Sequence, residues 1–67
     1  MSVAKTSEII SSSSVSVEDA VKQGLARAGK TIKGITSVWV KDTKATVENG
    51  EIAEWRVNMV ITFVLND

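Results

Sequence analysis

Sixty-seven residues, with eight Lys and Arg balanced by eight Asp and Glu and with neither His nor Cys, leave room for a single domain over 1–67. Disulfides are excluded, and so are the thiolate and imidazole zinc sites. A formal charge of zero gives no global field to gather nucleic acid or an anionic membrane. A chain this short buries only about 60% of its unfolded surface, so partner subunits are the remaining source of stability and an oligomer is expected. No run of eighteen apolar residues is present to span a bilayer. The opening MSVAKTSEII carries no apolar signal core, and a cytoplasmic location is the expectation.

Val3 to Ile10 reads as a short strand with imperfect alternation. Ser11 to Ser14 follows as a polar break, expected to turn into a helix because serine hydroxyls compete for backbone groups. Val17, Val21, Leu25, Ala28 and Ile32 then recur at spacings of four, four, three and four, one stripe on a 3.6-residue period. Ala20 and Gly24 lie beside that stripe and would let a sheet come close. Ser16 is the expected N-cap, with Glu18 and Asp19 in the electropositive first turn. Lys30 and Lys33 suit the carbonyl end and Gly34 the stop, so the spacing predicts a helix over Val17 to Lys33. The basic residues Lys22, Arg27, Lys30 and Lys33 are read as a solvated face.

Ile35 to Thr43 is the second strand, with Val38 and Val40 on one face and Ser37, Trp39 and Lys41 on the other. Lys44 to Glu48 fits strand or loop. Asn49-Gly50 signals a tight turn. Ile52 to Leu65 is the longest strand: Trp55, Val57, Met59, Ile61, Phe63 and Leu65 face one way, and Arg56, Asn58, Val60, Thr62 and Val64 the other. The fold class is therefore α+β, in the order β-α-β-β, with a three-stranded antiparallel sheet wrapped on one amphipathic helix. A lone helix covers one sheet face. Trp39, Val60 and Val64 on the other face need an interface or a ligand.

No autonomous catalytic constellation is legible. Without Cys, His or Tyr only Ser, Lys, Asp and Glu remain, and the carboxylates show no paired spacing that selects two for acid–base work. Asp42 and Glu48 near the turn lack the ordered ligand spacing of a calcium loop. The serine run has no companion base. Gly24 to Thr31 satisfies the pattern of a phosphate-binding loop, but it falls inside the helix rather than between a strand and a helix start. The expectation is neither enzyme nor metal site.

The residues that carry a family likeness are Glu8-Ile9-Ile10, the serine turn, Gly24-Leu25-Ala26-Arg27-Ala28 with Thr31, Val40, Asn49-Gly50, and Trp55 through Phe63 (WRVNMVITF). Together they resemble the dodecin family over nearly the whole chain. That resemblance implies a hollow homododecamer that holds riboflavin, lumichrome or a related flavin such as FMN without turnover. In the family a tryptophan sandwiches each flavin ring and a glutamine on the third strand bonds its polar edge.

By that resemblance the stacking tryptophan falls on Ser37 and the glutamine on Arg56. Serine offers no π surface. A guanidinium donates but cannot accept from the ring N–H. Trp39 lies two residues beyond Ser37 on the same face, where it either stacks on a displaced ligand or packs against a neighbouring subunit. Arg56 either contacts ligand or pairs with a carboxylate across an interface. Ser37, Trp39 and Arg56 are thus the candidate cofactor-binding residues. The leading expectation is a cage that sequesters flavin or a flavin-like aromatic molecule. The alternative is a structural or ion-binding shell that has lost flavin, and a small flavin-dependent reductase ranks last.

Overall fold

The computed structural model describes residues 2–65; Met1, Asn66 and Asp67, at the ends of the 1–67 span, lie outside the described residues. The chain runs β1 (Val3–Ser13), α1 (Val17–Ala28), β2 (Ile35–Glu48) and β3 (Glu51–Leu65). All pairing is antiparallel and the sheet order is β1-β3-β2. The central place goes to the strand with the longest alternation, because only there are both backbone edges satisfied while one face is buried. Val57, Met59 and Ile61 of β3 are fully buried, and Val57 and Met59 form one cluster with Ala20 of the helix.

The first strand outruns its expected end. Ser11, Ser12 and Ser13 pair with Val57, Arg56 and Trp55, so the serines continue the ladder instead of breaking it. Only Ser14 and Val15 turn. Ser13 explains why a hydroxyl is wanted there. Its side chain donates to Asp19 Oδ2 at 2.6 Å and accepts from the backbone N–H of Val15 at 2.9 Å. A buried hydroxyl with three lone-pair and proton sites ties strand end to helix start. Ser16 then caps the helix by accepting from the Asp19 N–H at 3.0 Å, as the sequence predicts.

The helix is shorter than its apolar stripe. It ends at Ala28 with Gly29 as C-cap, not at Lys33. The Ala28 carbonyl accepts from both Thr31 at 3.1 Å and Ile32 at 2.9 Å, which tightens the last turn and leads the chain out. Ile32 keeps the helical spacing while standing outside the helix. The line of closest approach also differs from the bulky stripe. Ala20, Gly24 and Ala28 are the buried helix residues, with Val17 and Val21 flanking them against the core. A Cβ at Gly24 would collide with the end of Met59 and stand 3.0 Å from Ser11 Cβ. Small residues at four-residue spacing let the helix settle onto β1 and β3.

Strand β2 runs through the undecided segment to Glu48 and joins β3 by the Asn49-Gly50 turn, both residues at positive φ (52° and 78°). That is the backbone a tight hairpin with right-handed twist requires. Register shifts fall between Ile35 and Ser37, between Val40 and Asp42, and between Thr46 and Val47. The middle shift leaves Lys41 as the extra residue of a bulge. Val38 and Val40 oppose Ile61 and Met59 on the helix side before it, and Asp42 and Lys44 oppose Asn58 and Arg56 on the other side after it.

Candidate functional site

The face away from the helix is built of cross-strand rows. Thr6, Thr62 and Ser37 form one, Glu8, Val60 and Trp39 the next, then Ile10, Asn58 and Asp42, then Ser12, Arg56 and Lys44. Strand alternation puts these residues there, and the Lys41 bulge keeps β2 in phase with the outward residues of β3. Trp39 is 61% exposed and Ile10 is 67% exposed, so two large apolar side chains stand bare on these rows. Lys41 Nζ reaches Glu8 at 3.5 Å, a solvated pair worth little to stability.

Ser37 and Trp39 occupy neighbouring rows, about 7 Å apart along β2, so a planar ligand can lie over both. Arg56 does not join them. It stands two rows beyond Trp39, about 13 Å along β3, and three rows beyond Ser37, about 20 Å. Its guanidinium pairs with Glu54 Oε1 at 2.8 Å on its own strand. The three candidates therefore split into an aromatic end and a polar end of one protomer face.

The polar end contains a residue that sequence reasoning did not single out. Asn58 Oδ1 is closed off from solvent and has no hydrogen-bond partner among the described residues. It lines a cavity of about 370 Å³ with Ile10, Ser12, Asp42, Lys44 and Arg56. Its signal in the sequence was an amide among the outward residues of β3, between Arg56 and the apolar Val60. Asn58 is also a diagonal neighbour of Trp39, since Trp39 opposes Val60 and Asn58 follows two residues away on the same face.

A second cavity, about 590 Å³, lies between β1 and the helix and includes Gly24, Arg27 and Thr31. It does not cradle phosphate. The N–H groups of Gly29, Lys30 and Thr31 are bonded to the carbonyls of Leu25, Arg27 and Ala28, and so are not free for an anion. Among the described residues, no three His, Cys, Asp or Glu side chains gather where they could hold a metal ion.

The fold has close counterparts. Over 100% of this chain and 98% of the other, a dodecin variant from Thermus thermophilus superimposes with a TM-score of 0.95 at 28% identity. Dodecin from Streptomyces davaonensis matches with a TM-score of 0.94 at 26% identity, covering 98% of this chain and 97% of that one. The calcium dodecin of Mycobacterium tuberculosis, a calcium-chelating antigen with a novel calcium-binding site, follows with a TM-score of 0.83 at 26% identity over 96% and 91%. No curated protein sequence matches significantly. The dodecin family model spans residues 3–66, from the first strand through the last, and by that measure the chain belongs to the dodecin family.

Proposed function

We propose that the protein assembles into a closed homododecamer in the cytoplasm that binds and sequesters a flavin or flavin-like aromatic ligand between subunits. Dodecins are non-catalytic oligomers that generally bind flavins. The observation that carries the reading here is Trp39, a 61% exposed indole beside Ser37 on a sheet face that the chain's own helix leaves bare. An indole in that position supplies the ring contact that Ser37 cannot. The residues present fit such a ligand: a bare indole face at one end, and at the other an unpartnered Asn58 oxygen beside the N–H donors of Lys44 and Arg56. Because Ser37 and Arg56 stand about 20 Å apart in one protomer, a ligand that touches both draws them from two copies.

Titration of riboflavin, lumichrome and FMN with the purified protein tests the reading, with flavin fluorescence and light scattering followed together. Quenching that saturates with a protein mass near 86 kDa, twelve protomers of 7.2 kDa, is the expected result. An assembled protein that leaves all three ligands fluorescent at tens of micromolar would instead favour the shell without flavin. Two observations lend that second reading weight: Ser37 has no ring, and the Arg56 guanidinium is already engaged by Glu54.

A further inference from the structure

Resting on the ligand-binding reading above, we infer that Asn58 is a specificity-determining residue of this surface: its side-chain carbonyl accepts the ring N–H of a cyclic imide, the C(=O)–NH–C(=O) edge of a flavin-type ring. A cyclic imide presents one donor flanked by two acceptors. Arg56 and Lys44 donate only, so they answer the two carbonyls and leave the central N–H without a partner. Asn58 Oδ1 is the complementary atom. It lines the same cavity as both cations and is closed off from water without any bond of its own. An acceptor desolvated in that way is unfavourable until a donor reaches it, so a ligand N–H that parts the side chains at the mouth gains more there than at a hydrated group. Ile10 of the same cavity offers an apolar wall for the ring.

The strand geometry connects this edge to the indole. Arg56 stands two outward positions from Val60, the partner of Trp39, whereas Asn58 stands one, and of the two polar diagonal neighbours of Trp39 on β3 it is Asn58, not Thr62, that lies on the side of Lys44 and Arg56. The acceptor that an amide at position 56 would have provided is thus supplied one outward position closer to the displaced aromatic. Asp42 faces Asn58 across the strand pair and is the competing acceptor, but it is exposed and keeps its hydration.

Affinity for riboflavin and for riboflavin methylated at the imide nitrogen, measured by fluorescence quenching on the assembled protein, tests the assignment. Methylation is expected to weaken binding on the order of 10-fold or more in the unaltered protein. In Asn58→Leu the two ligands should bind within about 3-fold of each other, and in Asn58→Asp, which keeps an acceptor, the preference should persist. Light scattering on each variant reports whether the assembly is intact; should Asn58→Leu fail to assemble, the methylated ligand and Asn58→Asp still decide. Equal affinity of the unaltered protein for both ligands overturns the assignment while leaving flavin binding standing. So does a preference that survives Asn58→Leu and disappears in Asp42→Asn. Absence of binding by either ligand to an intact assembly overturns the flavin reading itself, and the assignment with it.

Discussion

Trp39 is held by β2 with 61% of its surface in solvent, outside the buried core of its own protomer. Replacing it should therefore separate ligand binding from folding. In Trp39→Ala the affinity for riboflavin is expected to fall about 3–10-fold, the size of an aromatic stacking contribution. The secondary structure by circular dichroism should be unchanged, because the buried set of Val57, Met59, Ile61, Ala20 and Ala28 is untouched. Unaltered affinity in a variant that also assembles normally would remove Trp39 from the ligand surface. Collapse of the assembly would assign it to the subunit interface instead. Asn58 is the opposite kind of residue: small, half-buried and inconspicuous in a sequence, because the want of a partner for its oxygen exists only once Ile10, Asp42 and Arg56 surround it.

At the scale of elements, two glycines with the same backbone angle make a controlled comparison. Gly34 and Gly50 both have φ of +78°. At Gly50 an added Cβ meets open space, so Gly50→Ala should cost only the left-handed backbone strain, about 1–2 kcal/mol. At Gly34 the same Cβ would lie 2.9 Å from the Val64 carbonyl oxygen, a backbone atom that cannot swing aside. The Gly34 carbonyl also accepts from the Val64 N–H at 3.0 Å, a bond that a shift of the strand entry would break. Gly34→Ala should thus cost about 2–4 kcal/mol. Urea unfolding of both variants at one protomer concentration checks the order; equal costs would show that the entry to β2 is free to move.

The same elements show what was legible in the chain. The helix start and the hairpin turn were read correctly because Ser16, Asp19, Asn49 and Gly50 act through local backbone bonds and angles. The helix end was not, because Ile32 keeps the period while Gly29 ends the helix five residues before the expected stop. The serines of β1 hid three ladder pairs, since alternation is invisible when every residue is polar. The outward rows were legible as a bare face carrying Trp39, yet the separation of Ser37 from Arg56 needed the register of β3 between them. Family resemblance marked those two positions and could not reveal their distance.

The protomer as a whole is too extended for its size. Its radius of gyration is 13.8 Å, against about 11 Å for a compact chain of this length, and its extents are 51 × 19 × 13 Å. Its accessible surface is 4897 Å², whereas a folded monomer of this mass exposes roughly 4,100 Å². The excess, about 800 Å², equals one partner's share of an ordinary stable interface. The long β2–β3 hairpin contributes apolar surface to that total, with Val47 and Ile52 opposing each other at 63% and 52% exposure. The edge strands β1 and β2 also keep one row of backbone groups each without a strand partner in the protomer. Burying these features against other copies makes stability a function of concentration, because subunits that associate only when folded shift the equilibrium by mass action. Thermal unfolding midpoints should therefore rise as protomer concentration is raised from sub-micromolar to hundreds of micromolar, and light scattering should show the mass falling at the dilute end before secondary structure is lost or together with it. A midpoint that stays constant over that range, with a mass of one subunit throughout, would mean that the hairpin and the Trp39 face tolerate water. The case for a ligand held between copies would fall with it, since Ser37 and Arg56 can meet one ring only across subunits.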